Sequence, residues 1–187
     1  MIKNYNEVLY NNRRIETERL FLRPMQLSDA EDMFEYASDE ETLSTLMWEG
    51  VKTLDEAKAA IYDWHLASPH GKWAITLKDG GKLIGGVDVG LNHAHDKGSF
   101  GYVINRQFWG KGYMTEAFAA IVDLCFMRLE LNRVEARFYV GNEGSGRVME
   151  KVGMKHEGVL IASEKIKGKF KDVVYYGLTR EQYLQSK

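Results

Sequence analysis

One segment limits the folds open to this chain more than any other. Tyr113 to Leu129 carries apolar side chains at Met114, Ala117, Phe118, Ile121, Leu124, Cys125 and Leu129, the wide stripe of a helix packed on a sheet. Strand-like runs flank it, Phe100 to Ile104 before and Arg133 to Val140 after. A helix joining two neighbouring strands returns the chain to the same end of the sheet, so those two are predicted to run parallel. The other strand signals are hairpin-like. Lys72 to Leu77 and Lys82 to Leu91 flank Asp79, Gly80 and Gly81, and the polar stretch His93 to Lys97 leads into the Phe100 strand, together an antiparallel meander. Ser145 to Val152 reads as a short helix stopped by Gly153, and two further strands turn at Lys167, Gly168 and Lys169.

Upstream, Arg19 to Pro24 alternates as a short strand. Two amphipathic helices follow, opened by the capping boxes Ser28 with Glu31 and Thr53 with Glu56. The predicted fold class is α/β: a mixed, mostly antiparallel twisted sheet of about seven strands flanked by helices. With 187 residues, 44% hydrophobic and 28% charged, a single domain over residues 1–187 is expected. A formal charge of -2 offers no summed positive field for nucleic acid or anionic lipid. Met1 to Tyr10 is polar and mixed, and no run of about 18 apolar residues occurs. Neither a membrane nor a nucleic-acid partner is expected, and a cytoplasmic location is. Cys125, the one cysteine, excludes an internal disulfide and lies on the helical stripe, where a buried thiol is inert.

The chemistry concentrates in Gln107-Phe108-Trp109-Gly110-Lys111-Gly112-Tyr113, between a strand and the central helix. Two glycines let a polyanion approach the main chain, and a helix start presents unpaired N–H groups. A glycine turn that only begins a helix fits the same residues. Other phosphate loops fit worse. A Walker loop needs Lys and Ser or Thr where Gly141 to Val148 has Arg147 and Val148, and Thr115 stands where a dinucleotide fingerprint has its third glycine. His93-Ala94-His95-Asp96 is explained by a polar hairpin loop more simply than by a metal, and no metal site is expected.

Gln107-x-x-Gly110-x-Gly112 after a strand resembles the Q/R-x-x-G-x-G/A cofactor motif of the GNAT acetyltransferases. Glu16-Thr17-Glu18-Arg19-Leu20 with Leu22-Arg23-Pro24, Gly101-Tyr102, and Leu131 to Ala136 are similar to the RimJ/RimL branch, which acetylates ribosomal-protein N-termini. So are Asn142-x-x-Ser145 with Glu150-Lys151-x-Gly153, and Gly168-x-x-x-Asp172-Val173. The resemblance implies a sheet splayed between its two parallel central strands, acetyl-coenzyme A as cosubstrate, and a primary-amine acceptor. That acceptor is a protein N-terminus or a small amine such as a polyamine or aminoglycoside, on a monomer or homodimer. A different class, a protein that binds acyl-CoA without turning it over, is the competing function.

The resemblance also assigns roles. Gln107, Trp109, Gly110, Lys111, Gly112 and Tyr113 hold the pyrophosphate. Tyr102, Val103 and Ile104 contact the pantetheine through their backbone, and Asn142 hydrogen-bonds the cofactor. Direct attack of an amine on a thioester needs a neutral amine, a stabilised oxyanion and a proton for the departing thiolate. Ser145 is the candidate donor to sulfur and Glu164 the candidate receiver of the amine's proton. Read from the residues alone, Asn142 also fits a turn, Ser145 an N-cap and Glu164 a solvated strand residue. Ser99 departs from many relatives, which carry glutamate there, and so moves the expected base to Glu164. Tyr36, Met47, Trp48 and Trp64 lie in the section that borders the family's acceptor site, and fit a core equally well.

Overall fold

Why a chain of this pattern folds as it does is visible in a computed structural model, which describes residues 4–44 and 46–187. Of the polar N-terminal stretch, residues 1–3 lie outside the described residues and Tyr5–Asn11 forms helix α1. Strands β1 (Ile15–Glu16) and β2 (Leu20–Arg23) follow, then helices α2 (Ala30–Ala37), α3 (Glu40–Ser44) and α4 (Leu54–Ala60). Strands β3 (Lys72–Leu77), β4 (Leu83–Asn92) and β5 (Lys97–Ile104) precede the 15-residue helix α5 (Tyr113–Met127). The chain ends with β6 (Arg133–Tyr139), α6 (Glu143–Lys151), β7 (Lys155–Ile166), β8 (Lys169–Thr179) and α7 (Arg180–Gln185).

The sheet has eight strands in the order β1-β2-β3-β4-β5-β6-β8-β7, one more than the pattern predicts because two-residue β1 was not read. It is mixed and mostly antiparallel. As predicted, β5 and β6 are the parallel pair, Lys97 to Phe100 opposite Arg133 to Ala136. The register stops there, although β5 continues to Ile104 and β6 to Tyr139.

Contacts divide the chain into two units, residues 1–88 with 102–117, and residues 89–101 with 118–187. In the first, Met25, Met33, Tyr36, Val51, Ile61 and Leu83 form a buried core with small residues from α2, α4 and β3. Leu20 and Leu22 are buried and Phe21 is 42% exposed, the alternation that a strand covered on one face requires. In the second, Phe100 meets Phe118 edge-on at 4.6 Å. Leu129, Val134, Ala136, Met149 and Leu178 are buried there.

Three expectations are corrected. The capping box before α2 belongs to Gln26 and Asp29, not to Ser28 and Glu31, because a 3-10 turn over Leu27–Asp29 precedes the helix. The stripe through α4 does not reach Trp64. Ile61–Leu66 winds as a π-helix, whose wider turn breaks the 3.6-residue phase, and Trp64 is 58% exposed. The short helix after β6 starts at Glu143 with Asn142 as its N-cap, so Ser145 is not the cap.

Candidate active site

The predicted phosphate loop lies entirely in the first unit, held at both ends. At its start, Asn105 is buried, 3% exposed. Its backbone N–H donates to the Ile84 carbonyl at 2.8 Å, and its side-chain oxygen accepts the Gln107 N–H at 3.0 Å. Phe108 and Trp109 donate their N–H groups back to the Asn105 and Arg106 carbonyls, closing a 3-10 turn over Arg106–Phe108. Trp109 Nε1 donates to the Ile104 carbonyl at 2.8 Å, folding the indole against the strand end. At the far end, Glu116 in the first turn of α5 accepts from the Thr17 hydroxyl at 2.6 Å, the Arg19 N–H at 2.8 Å and Arg19 Nε at 2.7 Å. Arg19 Nη1 donates to the Lys111 carbonyl at 3.0 Å, and its guanidinium carbon stands 4.4 Å from the Tyr113 ring centroid.

Between these anchors, the backbone N–H groups of Gly110, Lys111, Gly112 and Tyr113 have no protein acceptor among the described residues. Gly110 and Gly112 have φ of 73° and 81°, the left-handed region that side chains disfavour. Gly110, Lys111 and Gly112 are exposed. Solvent-open amides without acceptors at a helix start are donors that a polyanion can approach closely. The Gln107 N–H is already committed to Asn105 and its side chain to α2, so Gln107 supports the loop instead of extending the row.

Tyr102, Val103 and Ile104 form the half-buried end of β5. A Cβ on Gly85 of β4 would overlap the Val103 carbonyl oxygen and crowd Ile104, so a glycine there allows β5 to lie this close.

Asn142, Ser145 and Glu164 belong to the second unit. The Asn142 side-chain oxygen accepts the Ser145 N–H at 3.3 Å, placing Ser145 in the first turn of α6. Gly146 next to it is buried against Phe138, whose ring a Cβ would touch at 2.9 Å. Glu164 on β7 is an ion-pair partner of Arg137, Nη1 to Oε1 at 2.5 Å, with its side chain 18% exposed. Its other oxygen accepts the Tyr139 hydroxyl at 3.3 Å. Burial first, then the Glu164 charge, pushes the Tyr139 phenol up to about 12. Ser99 Oγ donates to Glu135 at 3.0 Å.

Of the remaining candidates, Tyr36 is core at 2% exposed, whereas Met47 and Trp48 are exposed at 50% and 37%. His93 and His95 are exposed in the turn between β4 and β5. Cys125 is buried and its thiol is pushed up by burial, as the stripe predicted. Arg19, Glu35, Asn105 and Glu116 were missed. Arg19 was visible only as part of a motif without a role, and the others carry no local signal.

A mostly antiparallel sheet with a parallel β5–β6 pair, joined through a glycine loop and the helix α5, defines an α/β protein of the acyltransferase kind. The chain belongs to the GNAT acetyltransferases: residues 19–155 match the model described as the acetyltransferase (GNAT) domain. It is 30% identical over 171 residues to an uncharacterized N-acetyltransferase, p20, of Bacillus licheniformis, covering 89% of this chain and 96% of that protein. It is 31% identical to YdaF of Bacillus subtilis, provisionally named a ribosomal N-acetyltransferase, covering 89% and 94%. A crystal structure of a GNAT-family acetyltransferase from Bacillus anthracis matches with a TM-score of 0.82 at 27% identity, covering 90% of this chain and 99% of that one. Proteins of this family use acetyl-coenzyme A.

Proposed function

We propose that this chain transfers acetyl from acetyl-coenzyme A directly to a primary amine, with a protein N-terminal α-amine as the acceptor. The observation that carries the donor half is the row of four unpaired N–H groups from Gly110 to Tyr113 at the start of α5. Tyr102, Val103 and Ile104 line the pantetheine through their backbone in this reading, and an N–H near Tyr102 or Val103 takes the oxyanion. Asn142 hydrogen-bonds the cofactor from the position in which it also caps α6. Ser145 supplies the proton to the departing sulfur, Glu164 receives the amine's proton directly or through water, and proton exchange with solvent restores both.

An α-amine has a pKa of about 7.7 to 8.0 and a lysine-like amine about 10.4. Deprotonation at neutral pH therefore costs roughly 1 to 1.4 kcal/mol for the first and roughly 4 to 5 for the second. The smaller cost makes the α-amine the easier acceptor for an enzyme whose candidate proton acceptor is a carboxylate shared with Arg137 and Tyr139. The provisional name of YdaF points the same way. A polyamine acceptor is the second reading, supported by 28% identity over 125 residues to the spermidine N(1)-acetyltransferase of Escherichia coli, covering 66% of this chain and 67% of that protein. The test is an acceptor screen with acetyl-CoA that reads free thiol across N-terminal peptides, polyamines and aminoglycosides. Turnover on peptides with a free α-amine, lost when that amine is blocked, is expected. Turnover on polyamines alone selects the second reading. Acetyl-CoA binding with no turnover on any amine selects a sensing role.

A further inference from the structure

The start of the phosphate loop is held by one carboxylate on a different element. Glu35, half-buried on α2, accepts from Gln107 Nε2 at 2.7 Å and from Asn105 Nδ2 at 3.0 Å, both on Oε1. Its Oε2 accepts from Lys82 Nζ at 2.7 Å. Lys82 also donates to Asp32, one turn earlier on α2, at 2.8 Å, and Asp32 accepts the Leu83 N–H at 2.9 Å. Arg106, between the two amides, reaches Asp39 just beyond α2 at 3.2 Å and Glu41 on α3 at 3.1 Å. All three side chains of Asn105-Arg106-Gln107 are therefore tied to the α2–α3 segment.

We propose that Glu35 is a positioning residue for coenzyme A: through Gln107 and Asn105 it fixes the entry of the phosphate loop, so that the Gly110 to Tyr113 amides converge on the pyrophosphate. The proposal rests on the acetyl-CoA reading above.

The chemistry of the contacts supports this. A single carboxylate oxygen that accepts two amide N–H bonds determines where both amides sit, and charge-assisted bonds of this kind are about twice as strong as neutral ones. The Asn105 side-chain oxygen in turn accepts the Gln107 N–H, so Glu35 orients the group that orients the loop backbone. Lys82 first, and Asn105 after the opposing cost of burial, hold the Glu35 carboxyl below its ordinary range. Glu35 is thus the ionised, accepting partner at neutral pH, and Lys82 balances its charge beside an anion site. A carboxylate at this place is otherwise unfavourable, because its own charge repels the pyrophosphate. One lysine contact from outside the loop and two amide contacts at its start are the arrangement that removes that conflict.

The experiment compares Glu35→Ala, Glu35→Gln and Gln107→Met with the wild type on two thioesters, acetyl-CoA and S-acetylpantetheine, the second of which lacks the pyrophosphate. Glu35→Ala is expected to raise the Kd and KM for acetyl-CoA roughly ten-fold or more, while kcat/KM for S-acetylpantetheine stays within about two-fold. Glu35→Gln keeps an oxygen for the two amides, so most of the acetyl-CoA affinity returns. Gln107→Met, which removes one arm at an exposed position, gives the same selective loss at smaller size, and does so even if Glu35→Ala fails to fold. Equal losses on both thioesters, or wild-type acetyl-CoA affinity in Glu35→Ala and Gln107→Met, overturn the proposal. A wild-type protein that does not bind acetyl-CoA overturns the underlying reading instead, and is seen before any variant is compared.

Discussion

Asp88 shows how much one residue's surroundings add to what its letter says. It stands opposite Lys72 on the neighbouring strand, and burial pushes its carboxyl up to about 6, with Lys72 pulling the other way. A carboxyl raised in the folded state gives stability that is fully present below the unfolded pKa near 4 and is lost as pH rises through 6. At pH 7 and above the ionised form costs the fold, by an upper estimate, about 2 to 3 kcal/mol. Asp88→Asn is therefore expected to match the wild type in melting temperature near pH 4 and to exceed it by several degrees at pH 7 to 8. A difference independent of pH would assign the effect to the amide's packing. Gly112 is governed by geometry instead. At φ 81° with Arg19 Nη2 3.4 Å from where a Cβ would lie, Gly112→Asp adds strain, bulk and a negative charge at the proposed pyrophosphate position. Acetyl-CoA at a hundred times its Kd should stabilise the wild type by about 2.7 kcal/mol, and that thermal shift should vanish in Gly112→Asp. A folded variant with an undiminished shift removes the site.

The elements were legible where their signals are periodic. The stripe of α5, the meander of β3 to β5 and the hairpin at Lys167 and Gly168 follow from spacing and turn residues, and the parallel β5–β6 pair follows from the helix between them. The signals that failed are those without a period. α7 was missed although Thr179 and Gln182 form a reciprocal capping box, because its six residues fall short of two turns. The π-helical segment was missed because no composition separates π from α winding. From the sequence, Asn142 fits a cofactor ligand or a turn residue, and Ser145 a proton donor or the cap. The structure makes Asn142 the cap, leaving both chemical assignments as proposals. Asn142→Ala is expected to cost about 1 kcal/mol of stability from the lost cap, and a further 0.5 to 1.5 kcal/mol, roughly, of acetyl-CoA affinity from the lost hydrogen bond. Calorimetry that finds a lowered melting temperature with unchanged affinity leaves the cap as its whole role.

For the whole molecule, the resemblance names candidate site residues, but the side chains that hold the glycine loop are joined by long-range contacts that no local pattern carries. Gln107 and Glu35 are 72 residues apart, and Arg19 and Glu116 are 97 apart. A protein with a formal charge of -2 has no summed field to draw in a polyanion, so in the proposed reading donor binding rests on the local amides and acceptor choice on the chemistry of proton removal. Ser145 and Glu164 are assigned to opposite ends of that chemistry, and kinetics can separate them. Ser145→Ala should lower kcat and kcat/KM for the amine together, with acetyl-CoA affinity within a few-fold, because a proton offered to departing sulfur matters only in the transition state. Glu164→Gln should instead show a deficit that shrinks as pH rises toward the acceptor's own pKa, where the amine needs no base. The same change removes the ion pair with Arg137, which keeps its bond to the Tyr175 hydroxyl, so Glu164→Asp, which keeps the charge, serves as the control for lost pairing. A deficit in Glu164→Gln that is constant across pH would make Glu164 a residue that positions the acceptor, and wild-type rates in both Ser145→Ala and Glu164→Gln would leave the reaction to the oxyanion contacts and the acceptor's own acidity.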